Sequence, residues 1–279
     1  MALRAAVMTH GAHSMMTIIA ERINMTRKSI REKVWERDAA FITAEVQKQE
    51  ALGATHIDIN AGADPAKELD DMRWLTEVVS AATQLPLSFD SARAEVLRAG
   101  LALCNRPGTI INSTTAERAR LADTLPLVKE FNTNIIALTM DDSGMPETLE
   151  GRQKIIDDIC AHMTAENIAL DRVYIDPLVR PVSTNPEQAM MTVGGVRYVK
   201  THYPAAHTMV GLSNVSYGLP NRIHVNRAFF ALLLEAGLDG AIIDPTADGM
   251  MGIMLATRAL TGQDEYCMEY ITAARAEKI

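Results

Sequence analysis

The stretch that decides the fold is residues 53–91, which read GATHIDINAGADPAKELDDMRWLTEVVSAATQLPLSFDS. A short apolar run, His56–Asn60, precedes a longer segment in which apolar side chains recur at helical spacing, and a second short run, Leu87–Asp90, follows. Most runs of this kind along the chain are rich in Ile and Val, which is typical of strands buried on both faces of a parallel sheet, and the segment between these two runs predicts a crossover helix. The stretch therefore predicts one β-α-β unit.

The same alternation of short and long segments occurs eight times along the chain. The predicted strands are residues 16–21, 56–60, 87–90, 109–112, 135–139, 173–176, 208–212 and 240–244. The predicted helices are residues 39–52, 67–83, 92–104, 116–131, 148–166, 186–202, 221–236 and 248–260. Eight β-then-α units predict an α/β fold, a single (β/α)8 TIM barrel, which commonly forms one domain of about 250 residues.

Glycines mark the expected ends of helices, and no low-complexity linker divides the chain. Gly53, Gly100 and Gly237 each stand where a predicted helix should end, which is the usual place for a C-terminal glycine. An open doubly wound sheet is the alternative, but no predicted strand is followed by the Gly-x-Gly-x-x-Gly turn that this fold uses. We therefore expect one barrel domain, residues 16–279, after a short N-terminal extension, residues 1–15.

The composition disfavours several classes of protein. Of the 279 residues, 27 are Lys or Arg and 35 are Asp or Glu, and the formal net charge of −8 disfavours general nucleic-acid binding. The three cysteines, Cys104, Cys160 and Cys267, are too far apart for a disulfide framework or a cysteine-rich zinc site. Reduced thiols, the lack of an apolar run of about 18 residues and a poor signal peptide lead us to expect a cytoplasmic protein without a membrane partner.

Seven of the eight predicted strands end in a carboxylate or amide side chain. These residues are Glu21, Asp58, Asn60, Asp90, Asn112, Asp176, Asn214 and Asp244. A single residue of this type after a strand is usually a helix cap, but the strand ends of a barrel meet at one mouth, where its active site lies. The set therefore predicts a ligand site, although Glu21 and Asp58 could equally pair with Arg22 or another base.

The residue types at the predicted mouth favour a flat heterocycle as the ligand. A carboxylate accepts two N–H bonds from an amino-pyrimidine edge, and an amide pairs with a ring nitrogen and a carbonyl. A phosphorylated ligand would require a glycine-rich loop and basic residues near the last two strands, which the sequence lacks. The sequence also lacks a pair of metal-binding histidines and a Ser or Cys nucleophile beside a base, so that no intrinsic metal is expected.

The order of the strand-end motifs resembles that of the pterin-binding methyltransferases. The resemblance is closest to the methyltetrahydrofolate:corrinoid/iron–sulfur protein methyltransferases and the related methylcorrinoid:tetrahydrofolate methyltransferases of demethylation systems, and it extends from Met16 to about Tyr270. The matching motifs are Ile19-Ala20-Glu21-Arg22-Ile23-Asn24, Ile57-Asp58-Ile59-Asn60, Phe89-Asp90-Ser91, Ile111-Asn112-Ser113-Thr114, Tyr174-Ile175-Asp176-Pro177-Leu178, Gly211-Leu212-Ser213-Asn214-Val215-Ser216 and Asn221-Arg222. Each motif alone is weak, whereas their combined order is specific.

The resemblance implies a barrel, usually a homodimer, that binds folate across its mouth. It implies transfer of a methyl group between N5 of tetrahydrofolate and the cobalt of a corrinoid (cobalamin) on a partner protein. In the related enzymes of catabolic demethylation systems the methyl group moves toward tetrahydrofolate, and the sequence leaves the direction in this protein open. The pterin-binding residues that it implies are Glu21, Asp90, Asn112, Asp176, Ser213, Asn214 and Arg222. Asp90, Asn112 and Asp176 would hold the pyrimidine edge. Asn214 would act near N5, and Asp176 or Asp90 would relay the proton.

Departures from the family pattern put the identity of the partner in doubt, and three other functions also stay open. After Asn214, Tyr217-Gly218-Leu219-Pro220 replaces the more polar loop of the corrinoid/iron–sulfur branch, at the place where the partner would dock. The first open function is that of a dihydropteroate-synthase-like enzyme, but the end of the seventh strand carries no Lys of the kind those enzymes use. The second is non-catalytic folate binding, and the third is that of a metal-dependent lyase barrel.

Overall fold

The computed structural model describes residues 16–279, and the expected N-terminal extension, residues 1–15, lies outside the described part. Eight parallel strands close into a barrel in which each strand pairs with its neighbours in chain order. The strands are β1 (Thr17–Ala20), β2 (His56–Asn60), β3 (Leu87–Asp90), β4 (Ile110–Thr115), β5 (Asn134–Leu138), β6 (Val173–Asp176), β7 (His207–Gly211) and β8 (Gly240–Ile243). The prediction of a single (β/α)8 TIM barrel is confirmed.

Helices surround the barrel. They are α1 (Lys28–Trp35), α2 (Ala39–Ala51), α3 (Glu68–Ala82), α4 (Ala94–Leu103), α5 (Arg118–Phe131), α6 (Leu149–Ala165), α7 (Gln188–His202), α8 (Arg222–Glu235), α9 (Met250–Leu260) and α10 (Met268–Arg275). The eight predicted helices correspond to α2 through α9, whose bounds lie within two residues of the predictions. Helices α1 and α10, which have 8 residues each, are not among the predicted helices. Within residues 16–279, no helix is long and apolar enough to cross a membrane.

β4 is the strand that departs most from its prediction. It continues to Thr115, beyond the predicted end at residue 112, and its pairing with β5 changes register between Asn112 and Thr114. A change of register of this kind bends a strand and re-aims the side chains beside it. Asn112 therefore lies at a bend near the rim of the barrel.

Two of the three glycines expected to end helices do so. Gly53 and Gly237, both with a φ of 98°, follow α2 and α8 in the left-handed conformation that favours glycine. Gly100 lies inside α4, which continues to Leu103, and its predicted role is wrong. A Cβ at this position would lie 2.6 Å from the ring of Phe89 in β3. Gly100 therefore serves the close approach of α4 to the barrel.

A layer of apolar side chains lies beneath the mouth, because Ile19, Ile110 and Tyr174 stand two positions before Glu21, Asn112 and Asp176 in the chain. Ile19, Ile110, Ile136, Tyr174 and Met209 form a buried cluster there, each at most 8% exposed. Packed side chains of this kind fill the interior of such barrels and leave no pore. This cluster, which we call the apolar floor, closes the barrel beneath its mouth.

The outer face of each strand packs against the helices. Ile57 and Ile59 of β2 and Phe89 of β3 are fully buried in the main hydrophobic core. Burial of a side chain of this size contributes about 1.5–3 kcal/mol to stability. Because successive side chains of a strand point to opposite faces, packing of these residues outward turns Asp58 and Asn60 toward the barrel axis.

Candidate active site at the barrel mouth

Neighbouring strands bring three polar side chains together on one side of the mouth. The register pairs Asn60 of β2 with Asp90 of β3, and Asp90 with Asn112 of β4. The amide of Asn60 donates from Nδ2 to Asp90 Oδ2 at 2.8 Å, and its Oδ1 accepts the N–H of Gly62 at 3.0 Å. Both ends of this amide are engaged, so that Asn60 orients the Asp90 carboxylate and leaves the other carboxylate oxygen for a ligand.

Asp58 lies beneath this group, and the structure gives it neutral polar partners in place of the base that the sequence allowed. Its side chain is 2% exposed. Its Oδ1 accepts hydrogen bonds from Ser88 Oγ at 2.7 Å and from Asn112 Nδ2 at 3.2 Å. Since the nitrogen of Asn112 is committed to Asp58, the amide presents its oxygen to the mouth.

The carboxyl groups of Asp58 and Asp90 influence each other. Burial raises the pKa of Asp58 well above its ordinary value, and the charge of Asp90 raises it further. Burial also raises the pKa of Asp90, although the hydrogen bond from Asn60 opposes this change. Two buried carboxyl groups that interact do not ionise independently, and a shared proton lowers their repulsion. The pair therefore favours holding a proton at higher pH than a solvated Asp would.

Asp176 ends β6 at another point of the mouth. Its side chain is 6% exposed, and its Oδ1 accepts the backbone N–H of Leu178 at 2.8 Å. Burial raises the pKa of Asp176 to about 7, against the lowering effects of the N–H groups of Leu178 and Gly211 and of the charge of Arg152. This carboxyl group therefore changes its protonation state near neutral pH, which is a property of groups that exchange protons in active sites.

A short 3-10 turn, Leu212–Ser216, follows β7 and carries Ser213 and Asn214. Asn214 is exposed, and its Nδ2 lies 3.2 Å from the point that a Cβ on Gly211 would occupy. The missing side chain of Gly211 therefore lets the amide of Asn214 lie over the end of β7. This position puts the amide at the edge of the mouth.

Arg222, the first residue of α8, braces this turn. Its Nε donates to Ser216 Oγ at 2.9 Å, and its Nη2 donates to the carbonyl of Ser213. The guanidinium is thereby engaged with the turn that carries Asn214. A contact between Arg222 and a ligand stays a prediction.

Ion pairs neutralise the acids beside β1 and β8. Glu21 lies 3.3 Å from Arg27, which gives it the kind of basic partner that the sequence allowed. Arg22 lies 2.6 Å from Glu45 and 3.1 Å from Asp244. Burial alone would raise the pKa of Asp244, but hydrogen bonds from a neighbouring threonine and from Arg22 outweigh it, and the pKa is lowered. This side of the mouth is paired internally, which leaves the acids of β3 and β6 as the acceptors for a ligand.

Arg152, a fully buried residue in α6, is not among the residues predicted from the sequence. It stands three and four positions before the buried Ile155 and Ile156, and therefore lies in the apolar stripe of its helix. A charged residue within such a stripe requires buried partners. Its presence at an apolar position of the helix is the sequence feature that could have identified it. The charge of Arg152 lowers the pKa of Asp176.

The predicted site residues therefore lie at several points around the mouth of the barrel. Asp90 and Asp176 stand at the ends of β3 and β6, Asn112 stands at the bend within β4, and Ser213 and Asn214 stand on the turn after β7. Glu21 and Arg222 make their described contacts within the protein. Within residues 16–279, no group of three or more His, Cys, Asp or Glu side chains is arranged to hold a metal ion.

Comparison of sequences relates this chain to characterised proteins. The family described as "Pterin binding enzyme" matches residues 20–244. The methylcorrinoid:tetrahydrofolate methyltransferase of Eubacterium limosum is 35% identical over 266 residues, which are 95% of this chain and 98% of that protein. The methionine synthases of Mycobacterium leprae and Mycobacterium tuberculosis are 29% and 30% identical over 81% of this chain, which spans 20% of their length.

Solved structures share the barrel. The dihydropteroate synthase of Yersinia pestis, in complex with a sulfonamide drug, superposes with a TM-score of 0.67 at 15% identity, over 89% of this chain and 94% of that chain. The dihydropteroate synthase of Coxiella burnetii, in complex with pteroic acid, gives a TM-score of 0.65 at 14% identity, over 90% and 95% of the two chains. At this level of identity the likeness concerns the fold alone.

Proposed function

Because the chain belongs to the pterin-binding enzyme family, we propose that it is a methyltransferase that moves a methyl group from the cobalt of a protein-bound corrinoid to N5 of tetrahydrofolate. The observation that carries the proposal is the set of open acceptors at the mouth, on Asp90, Asn112 and Asp176. The chain also aligns over nearly its whole length with a methyltransferase named for this reaction. The same residues would serve the opposite direction of transfer.

The pterin ring of folate fits these acceptors. Its pyrimidine edge carries an exocyclic amino group and ring N–H groups, which need carboxylate or carbonyl oxygens as partners. Asp90 offers the oxygen that Asn60 leaves unbound, Asn112 offers its amide oxygen, and Asp176 offers a carboxylate that is ionised above neutral pH. Glu21, Ser213 and Arg222 line the rest of the pocket in this proposal. The corrinoid protein covers the side near N5.

The transfer is a displacement at the methyl carbon. The bond from N5 to carbon forms as the bond from cobalt to carbon breaks, the electron pair of the broken bond stays on cobalt, and N5 loses its proton. The corrinoid supplies the methyl group and accepts the electron pair. The chain therefore has to hold N5 in line with the methyl group, exclude water and take up a proton.

Asn214 is the proposed contact to N5. Its amide oxygen accepts a hydrogen bond from the N5–H of tetrahydrofolate. In the reverse reaction its amide nitrogen donates a hydrogen bond toward N5 of methyltetrahydrofolate. An amide makes either bond without imposing a fixed charge. Asp176 or Asp90 takes up the proton through water, and the raised pKa values of both carboxyl groups suit them to this task. Asn214, Asp176 and Asp90 are the proposed catalytic residues.

The partner, the assembly and the location are part of the same proposal. The partner is a corrinoid protein of a demethylation system, which approaches the mouth past the turn Leu212–Ser216. The protein forms a homodimer and works in the cytoplasm, where Cys104 and Cys160 stay free thiols in the buried core. Light scattering should give twice the mass of one chain, and a monomeric mass would refute the dimer without touching the reaction.

A spectroscopic assay tests the reaction. Methylcobalamin, tetrahydrofolate and the protein are mixed without oxygen, and the absorbance of cob(I)alamin and the formation of methyltetrahydrofolate are followed. We expect both products to form together and in proportion to protein concentration. The reverse assay begins with methyltetrahydrofolate and cob(I)alamin and should reach the same equilibrium.

Two results would overturn the proposal in favour of a different function. Tight binding of folate without methyl transfer, in either direction and with the genuine corrinoid partner present, would indicate a non-catalytic folate-binding protein. Formation of dihydropteroate from dihydropterin pyrophosphate and aminobenzoate would indicate a synthase. Each assay has its own product, so that the outcomes are separable.

A further inference from the structure

Arg152 makes an unusual set of contacts for a buried arginine. Its guanidinium is fully buried behind the β6 side of the mouth. Nη1 donates to the carbonyls of Pro177 and Leu178, both at 2.9 Å, and to Thr192 Oγ1 at 3.1 Å, and Nη2 donates to Gln188 Oε1. All of these partners are neutral oxygens. The guanidinium stays protonated in proteins, so that a positive charge is held here without a directly bonded carboxylate.

The carbonyls that Arg152 holds belong to the turn that fixes Asp176. Leu178 has a φ of 65°, a left-handed conformation that is unfavourable for a leucine, and its N–H donates to Asp176 Oδ1 at 2.8 Å. Thr192 supports the same turn, because its hydroxyl donates to the carbonyl of Leu178 at 2.8 Å. The two carbonyl bonds from Arg152 therefore keep the turn in the conformation that aims this N–H at the carboxylate.

Helix α7 holds the turn from its other side. A Cβ on Gly195 would lie 2.5 Å from Cβ of Pro177, so that the helix backbone packs directly on the proline. The remaining charged groups nearby are Arg180, after the turn, and Glu147, before α6, which lie 2.9 Å apart as an ion pair. Because Glu147 is paired with Arg180, Asp176 is the carboxyl group on which the positive charge of Arg152 acts.

We infer that Arg152 is a positioning residue for Asp176: it holds the turn 176–178 in the shape that aims the N–H of Leu178 at the carboxylate. The inference rests on the proposed function only for the claim that Asp176 then binds the pterin. Arg152 itself does not touch the ligand, and it acts through the turn. A lysine keeps the charge but lacks the planar fork that reaches two carbonyls and two side chains together.

The first test needs no ligand. The variants Arg152→Met and Arg152→Lys are each made with and without Asp176→Asn, and the stability of all proteins to urea is measured between pH 5 and 9. The pH dependence that disappears with Asp176→Asn reports the pKa of Asp176, which is about 7 in the parent protein. We expect Arg152→Met to raise this midpoint, because both the charge and the support of the turn that presents the N–H of Leu178 are lost, and Arg152→Lys to raise it less. An unchanged midpoint in Arg152→Met would overturn the inference.

Arg106 provides the matched control. Like Arg152 it donates to backbone carbonyls, those of Ser80, Thr83 and Leu85, each at 2.8 Å, but it lies between α4 and β4, at the end of the barrel away from the mouth. Arg106→Met should lower stability equally at every pH and leave the midpoint in place. If the midpoint moves as far in Arg106→Met as in Arg152→Met, the shift is a general effect of losing an arginine, and the positioning role of Arg152 is refuted.

The second test concerns folate. Arg152→Met should weaken the binding of tetrahydrofolate at pH 7 at least roughly tenfold in the parent background and little in the Asp176→Asn background, because the two changes act through one carboxylate. If Arg152→Met does not fold, Thr192→Val takes its place. We expect it to weaken the binding of tetrahydrofolate less than Arg152→Met, and again mainly in the parent background. Equal weakening in both backgrounds would overturn the inference. Loss of folate binding in the parent protein would refute the proposed function and leave the ligand-free test intact.

Discussion

Replacement of Asp176 by Asn is expected to stabilise the protein above neutral pH. Burial raises the pKa of Asp176 from its ordinary 3.8 to about 7. A carboxyl group whose pKa is raised by folding favours the folded state fully below pH 3.8 and loses that contribution as the pH rises toward 7. Above pH 7 the ionised carboxylate is held in the folded protein at its full energetic cost. Asn has no charge to bury and keeps an oxygen for the N–H of Leu178.

The size of the effect follows from the difference between the two pKa values. It is about three pH units, and each unit corresponds to about 1.4 kcal/mol, so that ionisation lowers the free energy of unfolding by up to about 4 kcal/mol. Between pH 5 and pH 8 the stability of Asp176→Asn relative to the parent should therefore rise by roughly 2–3 kcal/mol. The change of this stability difference with pH reports the ionisation of Asp176, because any hydrogen bonds lost in the variant lower its stability equally at pH 5 and at pH 8.

Urea unfolding of the two proteins at several pH values provides the assay. Asp244→Asn is a control with the opposite sign, because the pKa of Asp244 is lowered in the folded protein and its contribution to stability is present above pH 3.8 and lost below it. This variant should therefore be less stable than the parent at pH 5 and above, by a nearly constant amount. A stability difference for Asp176→Asn that does not change between pH 5 and 8 would refute the reasoning about its burial.

Three further predictions concern single side chains. Asn214→Ala should lower the rate of methyl transfer at least roughly tenfold with unchanged unfolding by urea, because it removes the proposed amide contact to N5; a near-parental rate would refute this role. Asp90→Asn should weaken folate binding measured by calorimetry, and unchanged affinity would count against Asp90 as a pterin ligand. Gly100→Ala should lower the free energy of unfolding by about 1–3 kcal/mol, because its Cβ would meet the ring of Phe89, and a neutral effect would show that α4 can move away.

The strands and the ring of polar residues were predictable because they depend on local pattern. The run His56–Asn60 is apolar at alternate positions that pack on helices and polar at the positions that face the axis, and the same period of two decides both its secondary structure and the direction of Asp58 and Asn60. Once eight such runs are assigned to a closed barrel, the meeting of their ends follows from the topology.

The partners of those residues were not predictable, because they depend on distances between segments far apart in sequence. Pairing of Arg22 with Asp244, for example, follows from the positions of the loops after β1 and β8, which no periodicity specifies. Gly100 failed as a helix end for a similar reason, since its role depends on the ring of a residue in the preceding strand. The helices α1 and α10 are only 8 residues long, which is too short for a clear periodic signal.

Within residues 16–279, the apolar floor of Ile19, Ile110, Ile136, Tyr174 and Met209 closes the barrel beneath its mouth. For the proposed reaction, folate and the corrinoid protein have to use the same opening, and the smaller molecule lies deeper. We therefore expect an ordered kinetic scheme in which folate arrives before the corrinoid protein and departs after it. Saturating amounts of the corrinoid protein should slow the exchange of bound folate, because the mouth through which folate leaves is then covered.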